Sequence, residues 1–320
     1  MKRTLLLLIS GLLCLTSFAQ LLNKEQAITL NTATGVIHGT LRTPSSAKKV
    51  PIAILIAGSG PTDRNGNQPT MKNNSLKMLA ESLYDNNIAT LCFDKRGIGQ
   101  SASAGLKESD LRFEDYIKDV QEWIALLSQD DLFSSVSVIG HSEASLIGLV
   151  ASKKNDKVTK YISIAGVGEP AGKILRIQLE KQLIGQPQEL RDQIMSYISQ
   201  LEQGKLIENV PASLNALFRP SVQPYMISWF KYDPQKEIGQ LSIPILIVQG
   251  TMDLQVAVDQ AELLVTANKK AKKVIIEGVD HVMKNSQSKD MQSQFVNSYN
   301  NPTSSLNESL VKNIVDFLKN

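Results

Sequence analysis

VSVIGHSEASLIG, residues 136–148, switches from one backbone period to another within a few residues. Val136–Ile139 is a short β-branched run of the kind that fills a strand buried on both faces. An apolar helical pattern starts near Glu143. Gly140, His141 and Ser142 stand at the junction. A serine on a sharp strand-to-helix turn is lifted out with its Oγ exposed, and small residues on both flanks let the backbone fold that tightly. Gly140 supplies one flank. Ala144 supplies the other, where glycine is usual, and leaves the pitch of the turn open. Ser142 is then either a nucleophile or an ordinary helix cap.

The same strand–helix alternation extends outward in both directions. Ile52–Ala57, Ile88–Phe93, Tyr161–Ala165, Ile245–Val248 and Val274–Ile276 are further short apolar runs, each followed by Gly or Asp nearby. Residues 26–43 alternate in polarity around Thr34-Gly35 and predict a β-hairpin. Leu76, Leu79, Ala80 and Leu83 share one helical face, as do Phe113, Ile117, Val120 and Ile124, and Leu306, Leu310, Ile314 and Phe317. The pattern predicts an α/β fold with a mostly parallel central sheet flanked by helices. From Glu169 to Lys236 no strand-like run appears, while Leu190, Ile194, Tyr197, Ile198 and Leu201 keep a helical period. Nearly seventy residues exceed an ordinary crossover. The expected division is a core of residues 20–168 and 237–320 with a helical cap insertion at 169–236. In that insertion, Tyr225, Met226, Trp229 and Phe230 either line an acyl pocket or pack the cap on the core.

The chain has 320 residues, 42% hydrophobic and 20% charged, enough for one large core. A net charge of +3 with no dense basic stretch argues against a nucleic-acid partner. Residues 1–19 have the layout of a signal peptide: Lys2 and Arg3, an apolar stretch, then Ser17-Phe18-Ala19. Cleavage after Ala19 predicts an exported protein, periplasmic or secreted, with no stable membrane anchor. It also removes Cys14 and leaves Cys92 alone, a small buried hydrophobe that cannot form an internal disulfide. No cofactor or metal is expected, because three scattered histidines and no cysteine cluster offer no zinc site.

Ligands bind beyond the carboxyl ends of the strands in such sheets, which is where Ser142 falls. A serine nucleophile needs a general base, and the chain has three histidines. His38 lies in the hairpin. His141 adjoins the serine and is expected to point away from it. His281 follows the 274–276 run, on the same sheet edge as Ser142. Asp253 follows the 245–248 run and can orient the imidazole, with Glu169 as the alternative acid. Chain order Ser142, Asp253, His281 is the order expected when a triad is built on this fold. The oxyanion needs two N–H donors. Glu143 supplies one amide and Ser59, or its neighbour Gly60, the other, from the loop AGSGPTDRNGN at residues 57–67.

The serine turn GHSEAS, the GSGPTDRNGN loop, the stretch DKRGIGQS at 94–101 and the late Asp253 and His281 together resemble the α/β-hydrolase superfamily. More narrowly, they resemble bacterial esterase-type members related to the serine aminopeptidase-like hydrolases. The likeness implies an α/β-hydrolase fold and a serine hydrolase acting on a small-molecule carboxylic ester through an acyl-enzyme. A peptidase, amidase or thioesterase on the same triad is the alternative. An aminopeptidase would need an acidic site for the substrate's charged end, for which Glu169, Glu180 and Asp233 are candidates. Asp94, Arg96 and Gly97 match a structural motif behind the site. Substrate identity and oligomeric state are not encoded in these motifs.

Overall fold

The computed structural model describes residues 25–46 and 48–320. The predicted leader, residues 1–19, lies outside the described residues, and Cys14 with it. Strands β1 (Gln26–Thr32) and β2 (Gly35–Arg42) form the expected hairpin. They are followed by β3 (Val50–Ile56), β4 (Ala89–Phe93), β5 (Phe133–His141), β6 (Val158–Ile164), β7 (Ile245–Gly250) and β8 (Lys272–Ile276). The sheet order is β1-β2-β4-β3-β5-β6-β7-β8. The β1–β2 and β2–β4 pairs are antiparallel, and every pair from β4 onward is parallel.

Period-two alternation divides each central strand between two apolar layers. Ile52, Ile54 and Ile56 of β3 face one layer with Val136 and Val138 of β5. Ala53 and Leu55 face the other with Ile139. Helix α1 (Ser75–Asp85) closes the second layer with Leu76, Leu79, Ala80 and Leu83. Helix α2 (Phe113–Ser128) closes the first with Phe113, Ile117, Val120, Trp123 and Ile124. Both faces of the sheet are thus covered, which is why the runs read as continuous apolar stretches. Helix α3 (Glu143–Ser152) is buried almost throughout.

Between β6 and β7 stand helices α4 (Ala171–Gln182), α5 (Gln188–Glu202), α6 (Asn215–Phe218), α7 (Gln223–Phe230) and α8 (Pro234–Gly239). They hold their own apolar cluster, in which Ile194, Tyr197, Ile198 and Leu201 of α5 meet Phe218 and Met226. The aromatic quartet of α7 splits by helical geometry. Tyr225 and Trp229, four residues apart, pack toward the sheet layer at Phe113, with ring centroids 6.2 and 6.1 Å away. Met226 and Phe230 pack into the insertion's own cluster. The four residues therefore join these helices to the sheet layer.

Helices α9 (Val258–Ala267), α10 (Met291–Gln294) and α11 (Glu308–Lys319) complete the chain. Leu306 departs from the expected helical face. It precedes α11 and makes a bridge with Lys284. The helix starts later because the Asn307 side chain accepts the Leu310 amide at 2.9 Å and caps it there. Cys92 is buried and free, and burial pushes its thiol up to about 12. Among the described residues, no helix is long and apolar enough to cross a membrane.

Candidate active site

Ser142 sits between β5 and α3 with φ 57 and ψ −127. A non-glycine residue in that region is strained and persists only when its surroundings over-determine it. Two backbone bonds do so: the Ser142 amide donates to Ile164 O at 2.9 Å, and Ser142 O accepts the Ser145 amide at 2.9 Å. The tight return of the chain needs Gly140, since a Cβ there would stand 2.2 Å from Ala144 O. Ala144 is no obstacle, because its methyl is buried in the sheet layer. The alanine noted in the sequence therefore leaves the turn intact. Ser142 occupies the cap position of α3 but makes no side-chain cap bond, so its hydroxyl is not spent as a helix cap.

Asp253 lies in the loop after β7 and His281 in the loop after β8. Their loops are joined by the Thr251 amide on Ile276 O at 3.0 Å and the Met252 amide on Val279 O at 2.9 Å. His281 Nδ1 donates to Asp253 Oδ2 at 2.8 Å, and both side chains are almost wholly buried. The same carboxylate accepts Gln249 Nε2 at 3.0 Å and the amides of Gln255 and Val256 at 2.8 and 2.9 Å. Four donors around one carboxylate hold it ionised. Burial by itself raises the Asp253 pKa, but His281 and these donors outweigh it and the net shift is downward. Burial pulls the His281 imidazole down, the Asp253 carboxylate outweighs it, and the net shift is upward from 6.5. With Nδ1 carrying its proton toward Asp253, Nε2 is left as the basic nitrogen.

In the loop after β3, Gly58 abuts the serine: a Cβ on it would lie 3.1 Å from Ser142 Cβ. Ser59 and Gly60 are exposed, and Gly60 has φ 68. Glu143 opens α3, and first-turn amides of a helix have no acceptor within it. Ser142, His281, Asp253 and the glycine-rich loop at residues 57–67 thus lie beyond the carboxyl ends of β5, β8, β7 and β3.

The sequence profile described as serine aminopeptidase, S33, matches residues 72–287, a span containing Ser142, Asp253 and His281. The chain belongs to this S33 hydrolase family. Its fold is that of the α/β-hydrolases, and the protein is a hydrolase of that superfamily. No curated relative matches it significantly. Solved structures resemble it at low identity. Est1E from Butyrivibrio proteoclasticus with ferulic acid bound has a TM-score of 0.63 at 17% identity, covering 92% of this chain and 100% of its own. The α/β hydrolase GrgF from Penicillium sp. sh18 has a TM-score of 0.61 at 17% identity, covering 92% and 98%. The Pyrococcus furiosus esterase PF2001 has a TM-score of 0.59 at 14% identity, covering 92% and 90%. At these identities the likeness is one of fold.

Other expected residues of this S33-family chain fall as follows. Asp94 braces the 57–67 loop by accepting the Arg64 amide at 2.8 Å and Arg64 Nη2 at 2.7 Å, and it also accepts the Gln100 amide at 2.9 Å. Arg96 pairs with buried Asp119. Glu169, the alternative acid, pairs with Lys173 at 2.5 Å, and His281 takes Asp253 instead. Asp233 caps α8 through the Gln235 amide, and Glu180 is exposed. Glu169 and Asp233 are thus each engaged with a partner of their own. Among the described residues no group of three His, Cys, Asp or Glu could hold a metal.

His38 is half-buried on β2, as expected. His141 packs against His281. Its Nε2 bonds His281 O at 2.8 Å, and the two rings lie 4.8 Å apart. Burial, with His281 adding to it, pushes the His141 pKa down to about 4, so the ring is neutral and donates to that carbonyl. Two further contacts escaped the sequence reading. Tyr225 OH donates to Glu143 Oε1 at 2.7 Å, tying α7 to the residue after the serine. Lys95, inside the quoted DKRGIGQS, is buried and bonds carbonyls of the 57–67 loop. The one available signal was a lysine two residues after an apolar strand run.

Proposed function

We propose that this protein is a serine hydrolase of carboxylic esters, with Ser142 as nucleophile, His281 as general base and Asp253 as the orienting acid. The observation that carries this reading is the buried 2.8 Å bond from His281 Nδ1 to Asp253 Oδ2, together with a serine held at positive φ at the carboxyl end of β5. His281 Nε2 takes the Ser142 proton as Oγ attacks the ester carbonyl. The amides of Ser59 and Glu143 receive the tetrahedral oxyanion, each contributing about 3 kcal/mol to the transition state. His281 returns the proton to the leaving alcohol, and water then repeats the sequence on the acyl-enzyme. An ester is favoured over a peptide because Glu169 is paired with Lys173 and Asp233 caps α8, which leaves neither carboxylate free for a substrate amine. The pattern of residues 1–19 supports export to the periplasm or beyond. The insertion at 169–236 is read as a cap over the core.

A fluorophosphonate probe tests the serine assignment: wild type is labelled and Ser142→Ala is not. p-Nitrophenyl acyl esters and aminoacyl anilides then separate ester from peptide chemistry. Turnover of the anilides alone would overturn the ester reading.

A further inference from the structure

Lys95 follows β4 and is 2% exposed. Its Nζ donates to Gly58 O and, at 3.3 Å, to Gly60 O, and it lies 5.4 Å from the Tyr116 ring centroid. These partners are two carbonyls and an aromatic face, with no carboxylate among them. A buried ammonium without a bonded counter-ion loses several kcal/mol of hydration, and an apolar side chain of similar volume would avoid that loss. Burial accordingly pulls its pKa down, while the nearby Glu143 carboxylate pulls it back up.

A planar trans peptide points its C=O and N–H in opposite directions. Gly58 O and the Ser59 amide belong to the same peptide unit. An ammonium that holds Gly58 O therefore turns the Ser59 N–H to the opposite side, away from Lys95. Gly58 itself is the residue packed against Ser142. The other contact, Gly60 O, precedes Pro61, which has no N–H to aim. The intervening carbonyl, Ser59 O, accepts Thr62 Oγ1 at 2.7 Å. So the loop has two clamps, and the ammonium acts on the peptide that carries the Ser59 donor. A cation on the carbonyl oxygen also polarises that peptide and strengthens its N–H as a donor.

We propose that Lys95 is a positioning residue for catalysis, holding the Gly58–Ser59 peptide so that the Ser59 amide faces the developing oxyanion. The proposal rests on the serine-hydrolase reading above and deepens it. Lys95 does not touch the substrate and acts through Ser59.

The test is Lys95→Met, with Lys95→Gln as the neutral variant that keeps a donor. A mis-aimed donor is expected to cost roughly 10- to 100-fold in kcat, less than complete removal of one, with KM within about twofold. A boronic acid that forms a tetrahedral adduct on Ser142 should lose affinity by the same factor as kcat/KM. A merely structural lysine would lower stability without that proportionality. In whichever variant folds, wild-type kcat overturns the proposal, and so does a fall in kcat with boronate affinity unchanged. Fluorophosphonate labelling of wild type keeps the two ideas apart. An unlabelled wild type sinks the serine reading itself, whereas a labelled wild type beside a fully active Lys95 variant sinks only the role of Lys95.

Discussion

Replacing Gly140 by alanine puts a methyl where the turn has no room. The added Cβ would stand 2.2 Å from Ala144 O, and 2.6 Å from both Ala144 C and Ser145 Cα. Ordinary contact begins near 3.4 Å, so the methyl is about 1 Å too close to three backbone atoms. None of them is the end of a flexible side chain. Relief must come from moving the start of α3 away from β5, which carries Ser142 with it. Overpacking of a close-packed site costs about 1–3 kcal/mol. Misplacing a reacting group by about 1 Å costs on the order of 100-fold in rate. Gly140→Ala should therefore lower thermal stability and reduce kcat on a p-nitrophenyl ester at least 100-fold, with fluorophosphonate labelling slowed in step. Ala144→Gly is the companion. Its lost methyl is buried in the core, and glycine weakens a helix by about 1 kcal/mol relative to alanine. It should lose stability without gaining activity. Wild-type kcat and stability in Gly140→Ala, measured by steady-state kinetics and calorimetry, would refute the claim that the 140–144 approach sets the serine.

Asp253→Asn should lower kcat roughly 10⁴-fold, since an amide among these donors orients the imidazole in the wrong tautomer. The acid limb of kcat/KM against pH should also move. Wild type gains activity as pH rises through a His281 value above 6.5, and removing the carboxylate leaves burial to pull it lower. An unmoved limb would contradict Asp253 as the cause. His141 bears on stability. Its folded value of about 4 lies below its unfolded 6.5, so the unfolded chain binds the extra proton between them. That stability is present above pH 6.5 and is lost as pH falls toward 4, by about 3 kcal/mol in all. His141→Gln should flatten urea-unfolding stability across that window, and curves parallel to wild type would speak against it.

The strand runs and helix faces were legible because period two and period 3.6 are local properties of the chain. The core positions of β3, β5, α1 and α2 follow from them directly. That Ser142, Asp253 and His281 lie on one sheet edge was legible for a related reason, since each falls in the connection after a strand run and parallel strands end on one edge. Leu306 was misplaced because a single cap at Asn307 outweighs one more turn of apolar spacing. Other features had no local signal. The contacts of Lys95 with Gly58, Tyr225 with Glu143 and His141 with His281 span 37, 82 and 140 residues. Sequence periodicity states which face of an element is buried, and the sheet order decides what that face meets. Only the packed tertiary structure brought a lysine against the 57–67 loop, a second histidine against the first, and a tyrosine of the insertion onto the residue after the serine.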